Sequence, residues 1–71
     1  MIVYDPLWET LRKKQISSYK LEKTYGISKS MINKLRHNKS ITLQTLNELC
    51  KMLDVDVVDV IAYKPDEENN D

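Results

Sequence analysis

The chain has no phenylalanine, one tryptophan, one histidine, one cysteine and one glycine among its 71 residues. Each shortage removes a class of function or a way of folding. With Cys50 alone, no intrachain disulfide can form, and one thiol plus one imidazole cannot supply the Cys/His spacing of a zinc site. A reducing, cytoplasmic setting without a bound metal is expected. The lone glycine excludes a glycine-rich phosphate loop. One histidine, no thiol pair and no paired carboxylates in an expected cleft leave no nucleophile–base arrangement, so the chain is expected not to be an enzyme and to carry no cofactor. Long apolar runs are missing too. No stretch approaches bilayer-spanning length, and "MIVYDPLWE" lacks the basic region followed by an apolar stretch that marks a signal peptide. No internal repeat is present. With so few large aromatics, the core must come mostly from Leu, Ile and Val. At this length that core belongs to one small domain with a thin stability margin.

Charge of both signs is plentiful and cancels, with eleven Lys and Arg against eleven Asp and Glu. The cancellation hides a segregation along the chain. Residues 12–39 hold nine basic side chains against Glu22 alone, a surplus of eight, while residues 48–71 hold eight acidic ones against Lys51 and Lys64, a deficit of six. A basic stretch this dense points to a polyanionic partner such as nucleic acid; a solvated basic surface is the alternative.

Capping and periodicity divide the chain into five short helices. Asp5-Pro6 offers a capping oxygen and then a residue that needs no N–H donor. Leu7, Trp8 and Leu11 follow at helical spacing, which predicts a first helix to about Lys14. Ser17 caps a second, from Ser18 to about Thr24, with Leu21 and Tyr25 on one face. Gly26 supplies a left-handed turn, with Ile27 buried in it. Ser28 caps a third helix, Lys29 to about His37. After the polar loop "HNKS", Thr42 caps a fourth, Leu43 to about Leu53. Its Leu46, Leu49, Cys50 and Leu53 form the clearest apolar stripe in the chain. Asp56 is read as the cap of a fifth helix to about Ala62, with Val55, Val57, Val60 and Ile61 as core candidates. The valine-rich "VDVVDVIAY" also suits a strand, and Ile2-Val3-Tyr4 suits a short extended segment. The expected architecture is an all-α, compact five-helix bundle over residues 1–63, followed by an acidic tail, 64–71, expected to be disordered.

Function concentrates in "GISKSMINKLRHNKS", Gly26 to Ser40. On a wheel of about 100° per residue, Ile32 and Leu35 point one way, with Ser28 near them. Ser30, Asn33, Lys34 and His37 point the other way, and Lys29 and Met31 lie on the flanks. A hydroxyl, an amide, an ammonium and an imidazole on one face suit base edges or phosphates, although an ordinary solvated helix face is built alike. The context favours the first reading. A short helix joined by a glycine turn to a second one makes a helix-turn-helix, whose second helix is presented to the major groove. Lys20 and Lys23 on the preceding helix, and Arg36 and Lys39 at the far end, are placed for phosphates. Backbone N–H groups near Ser17 and Ser28 add to them.

"ISSYKLEKTYGISKSMINKLRHNKSITLQTLNELCKMLDVDVVDVI" resembles the Cro/CI-type, lambda-repressor-like helix-turn-helix domain of phage repressors and small bacterial regulators. The resemblance covers about Leu7 to Ile61. It rests on Leu21, Gly26, Ile27, Ser28, Ser30, Ile32 and Leu35 in the bihelical unit, and on the apolar stripe of "SITLQTLNELCKMLDV". It implies a five-helix fold, sequence-specific binding of double-stranded DNA, a role as a repressor-like transcriptional regulator, and often a homodimer. Carried over by position, Ser18 and Tyr19 would touch the backbone or groove edge. Lys29, Ser30, Asn33 and Lys34 would face the bases, and Asn38, Lys39 and Ser40 would track phosphates. No small-molecule effector site or membrane association is implied. The chain departs from the family pattern at Glu22, where a small residue usually packs between the two helices. A carboxylate there must reach solvent or a nearby lysine, or the helices must be spaced differently. It also departs at Ser18, often glutamine, and at Asn38, usually glycine, although asparagine too adopts the left-handed conformation.

The remaining singular residues carry two readings each. His37 either contacts phosphate or, the preferred reading, lies exposed and supports its helix C-terminus. Cys50 is read as core packing rather than redox chemistry. Tyr4, Trp8, Val58 and Tyr63 exceed what a small core needs, and either form a dimer patch or cover the core edge. Arg12 to Lys14 is read as a solvated helix end. A rival function keeps the fold and changes the partner: a protein-interaction or antitoxin-like module, whose acidic tail mimics nucleic acid or binds a basic protein.

Overall fold

Ser17, Ser28 and Thr42 each accept a hydrogen bond from the backbone N–H three residues on, and each opens a helix. These bonds satisfy donors that the first turn of a helix leaves unpaired. In the computed structural model, which describes residues 1–66, the order is β1 (Ile2–Val3), α1 (Asp5–Lys13), α2 (Ser18–Lys23), α3 (Lys29–Arg36), α4 (Leu43–Leu53), a single 3-10 turn at Val57–Asp59, and β2 (Ala62–Tyr63). The all-α class holds, and the Ser17, Ser28 and Thr42 caps stand where the sequence places them.

The fifth helix is a correction. Asp56 does cap, in a reciprocal box with Asp59, but the box closes only the 3-10 turn. The chain then leaves helical geometry, and Ala62 and Tyr63 pair antiparallel with Val3 and Ile2. β-Branched residues disfavour a longer helix, and pairing with β1 satisfies the backbone that a further helical turn would have used. The extended segment expected at the N-terminus supplies that partner strand.

The start of α1 is a second correction. Asp5 is not the cap. Tyr4 occupies that position with no side-chain capping bond, and Asp5 lies in the first turn, with Lys64 Nζ 3.3 Å from its carboxylate. The tail also begins tied down: Lys64 N–H donates to Met1 O at 2.9 Å. The tail expectation for residues 67–71 lies outside the described residues.

Helix ends show how a chain with one glycine turns corners. Gly26 has φ +76 after α2, while Gln15, Asn38 and Asp54 adopt φ 60, 53 and 57 after α1, α3 and α4. At each of these three corners the next N–H bonds back five residues, Ile16 to Leu11 O, Lys39 to Lys34 O and Val55 to Cys50 O, which captures carbonyls the helix end would leave free.

The helices enclose one core in which Leu7, Leu21, Leu35, Leu49 and Val60 are fully buried, one from each helix and one from the 3-10 turn's exit. Leu46 and Leu53 join them from the α4 stripe. Cys50 is half-buried against this core, and burial, with Asp56 and Asp59 nearby, pushes its thiol pKa up, which favours the inert protonated form. Val57 is exposed, against expectation, and Val55 and Ile61 are only partly buried. Thr10 Oγ1 donates to Asp59 O at 2.8 Å, locking α1 to the 3-10 turn. No helix among the described residues is long and apolar enough to cross a membrane.

Candidate nucleic-acid interface

α3 is two-faced as its wheel predicts. Ile32 and Leu35 are buried, whereas Lys29, Ser30, Asn33, Lys34 and His37 are exposed. α2 packs beside it, and Gly26 sets the angle between the two. Between them opens a cleft lined by Ser18, Tyr19 and Glu22 from α2 and by Lys29, Ile32, Asn33 and Arg36 from α3. Four of the expected contact residues therefore share one surface: Ser18, Tyr19, Lys29 and Asn33. Ser30 and Lys34 continue it on the outer side of α3. Lys39 and Ser40 lie exposed in the loop beyond.

Three side chains have internal partners that alter what they can do outside. Asn38 is half-buried, and its Oδ1 accepts from Tyr4 N–H at 3.0 Å. Tyr4 in turn donates its hydroxyl to Lys39 O at 2.6 Å, so both bonds pin the loop after α3 to the start of α1. Tyr4 is thus core, at 2 % exposure, and is no part of a surface patch with Val58 and Tyr63. Burial raises the pKa of its phenol above the ordinary tyrosine value.

Arg36 is the second case. Its guanidinium lies 5.4 Å from the Trp8 ring centroid and donates to Ser18 Oγ at 2.5 Å. The group joins α1, α2 and α3, and Trp8 is half-buried beneath it. The stacking is a cation–π contact. Nothing local in the sequence marks this role, because both partners are distant in the chain.

His37 is the third. Its Nδ1 lies 2.9 Å from Asn33 O. A carbonyl only accepts, so Nδ1 is the donor in this bond. It caps a terminal carbonyl of α3, in line with the preferred reading of this residue.

Glu22, the departure from the family pattern, is neither free in solvent nor buried alone. Its side chain is 23 % exposed, and its carboxylate lies 3.9 Å from Lys29 Nζ and 4.0 Å from Lys23 Nζ. Lys23 also approaches the Tyr19 ring, 6.0 Å from its centroid, and Tyr19 is 71 % exposed. No cluster of His, Cys, Asp and Glu fit to hold a metal occurs among the described residues.

A two-helix unit with a buried inner face and a polar, cationic outer face has counterparts among known proteins. The pattern of the Cro/C1-type HTH DNA-binding domain matches residues 6–66. The crystal structure of the transcriptional regulator VanUg (Form II) superposes with a TM-score of 0.80 at 31% sequence identity, over 92% of this chain and 87% of that one. No curated protein matches the chain. The family match runs from the second residue of α1 through α2, α3, α4 and the 3-10 turn to β2, and the chain belongs to the Cro/C1-type helix-turn-helix DNA-binding domain family.

Proposed function

We propose that the chain is a cytoplasmic, sequence-specific DNA-binding transcriptional regulator of the repressor-like kind, which lays α3 in the major groove of double-stranded DNA. The observation that carries this is the outer face of α3, where Lys29, Ser30, Asn33 and Lys34 are exposed side by side while Ile32 and Leu35 anchor the helix from behind. Asn33 is suited to the paired donor and acceptor of adenine, and the two lysines to guanine acceptors. Ser18 and Tyr19 meet the groove edge from α2. Lys20, Lys23, Lys39 and Ser40 track phosphates. Asn38 contributes by holding the loop through Tyr4, and Arg36 by holding α2 on α3. The role is binding without catalysis, cofactor or small-molecule effector. Two copies acting as a homodimer would read half-sites one helical turn apart.

Three phosphate-facing lysines give a log–log salt slope of about −2.7, roughly a 40-fold loss of affinity between 50 and 200 mM salt. Binding to genomic fragments across that series tests the proposal. Retention of a subset of fragments with this slope supports it. Retention of no fragment at low salt overturns it.

A further inference from the structure

We infer that Glu22 is a specificity-determining positioning residue, which tethers the Lys29 ammonium over the groove and keeps it off the phosphates. The inference rests on the DNA-binding reading above and concerns a residue the family pattern leaves small.

Lys29 is the first residue of α3, and its side chain is 82 % exposed. A free lysine in that place is a flexible point charge, and beside DNA it settles on the nearest phosphate. Such a contact adds affinity for any sequence. Glu22 changes this. Its carboxylate sits in the α2–α3 cleft at 23 % exposure, on the same wall as Ser18 and Tyr19, and Lys29 Nζ lies 3.9 Å away. The carboxylate's own freedom is already reduced by the cleft, so the tether costs mainly the lysine's mobility. An exposed ion pair contributes little to folding. Its effect falls on where the ammonium is when DNA arrives. Held at the N-terminal end of α3, the N–H donors of Lys29 that point away from Glu22 meet base edges, and guanine with its O6 and N7 acceptors is the base they favour. Lys23, 4.0 Å from the same carboxylate and 6.0 Å from the Tyr19 ring centroid, shares Glu22 from the α2 side. The negative charge also repels phosphates, lowering affinity for non-specific DNA.

Two effects of opposite sign follow for Glu22→Gln, which keeps the shape and removes the charge. Affinity for a non-specific duplex rises, and its log–log salt slope steepens by about 0.9 as Lys29 takes a phosphate. Preference for guanine at one position of the selected sequence falls about fivefold. In a Lys29→Ala background that preference is already gone, and Glu22→Gln leaves the selected sequence unchanged. The experiment is selection from a random duplex library with wild type, Glu22→Gln, Lys29→Ala and the double variant, together with salt titrations on one non-specific duplex. A purely structural role for Glu22 would weaken specific and non-specific binding alike and would not steepen the slope; that result overturns the inference. An unchanged motif and slope in Glu22→Gln overturns it as well, while the DNA-binding proposal stands. A wild type that selects no motif overturns both.

Discussion

Replacing Tyr4 with phenylalanine removes one oxygen and leaves the buried ring in place. The area withdrawn from water is then unchanged, and the difference is the hydrogen bond from the hydroxyl to Lys39 O at 2.6 Å. A bond of this kind contributes about 1 kcal/mol net, and more where the abandoned carbonyl cannot reach water. The bond is part-buried, so the lower figure is the minimum. For a domain of this size, about 1 kcal/mol lowers the melting temperature by roughly 4–8 °C. The substitution has a second signature in pH. Burial raises the Tyr4 pKa above its ordinary value, so the folded state holds the phenol proton more tightly than the unfolded chain does. The stability linked to this group is complete below the unfolded pKa of about 10 and is lost as pH rises through the folded value. Wild type should therefore lose stability with rising alkalinity more steeply than Tyr4→Phe, and the gap between them should narrow. Thermal melts by circular dichroism at pH 7 and across pH 9–11 read both quantities. A melting temperature unchanged by Tyr4→Phe at pH 7, or a gap that widens with pH, would show that the buried hydroxyl does not hold Lys39 O.

Leu35→Ala, at the fully buried back of α3, should cost about 2–5 kcal/mol; a loss under 1 kcal/mol in urea melts would show that α3 is not packed as described. Gln15 holds φ 60 without a short polar side chain to offset it, so Gln15→Gly should raise the melting temperature, by an amount equivalent to about 1 kcal/mol or less; a drop would contradict the left-handed corner. Gly26→Ala carries the opposite sign. A Cβ there meets no atom within 4 Å, so its cost is conformational alone, about 1 kcal/mol, and a variant that fails to fold would point to a contact the structure does not contain. Ser28→Ala, which removes the cap on Met31 N–H, should cost about 1 kcal/mol in the same melts; an unaltered midpoint would mean that the cap bond does not form.

Local chemistry was legible in the sequence and long-range partnership was not. The Ser17, Ser28 and Thr42 caps are read from one side chain and the backbone next to it, and all three hold. So does the division of α3 into Ile32 and Leu35 inside and Asn33 and Lys34 outside, because helical periodicity decides it. Asp56 shows the limit. Its cap is real, but what ends the turn is a strand contributed by the opposite end of the chain, and a capping rule cannot see that strand. The corners at Gln15 and Asp54 lack the glycine or asparagine that would announce them. Within the candidate site, Arg36 read as a phosphate ligand because it is a cation at a helix end; its Trp8 and Ser18 partners are set by how α1 and α2 pack. Glu22 stood out as a departure from the family pattern, and only the geometry of the cleft shows which ammoniums face it.

If the outer face of α3 reads base edges, its exposed side chains set the preference between DNA sequences. The most direct test compares wild type with the Asn33→Ala/Lys34→Ala double variant on two duplexes, the sequence selected by wild type and an unrelated one, at one salt concentration. Both side chains are exposed, so the variant should keep its melting temperature. The ratio of the two affinities should fall roughly tenfold or more, while binding to the unrelated duplex changes only a few-fold. A double variant that stays folded and keeps the wild-type ratio would contradict base reading by α3.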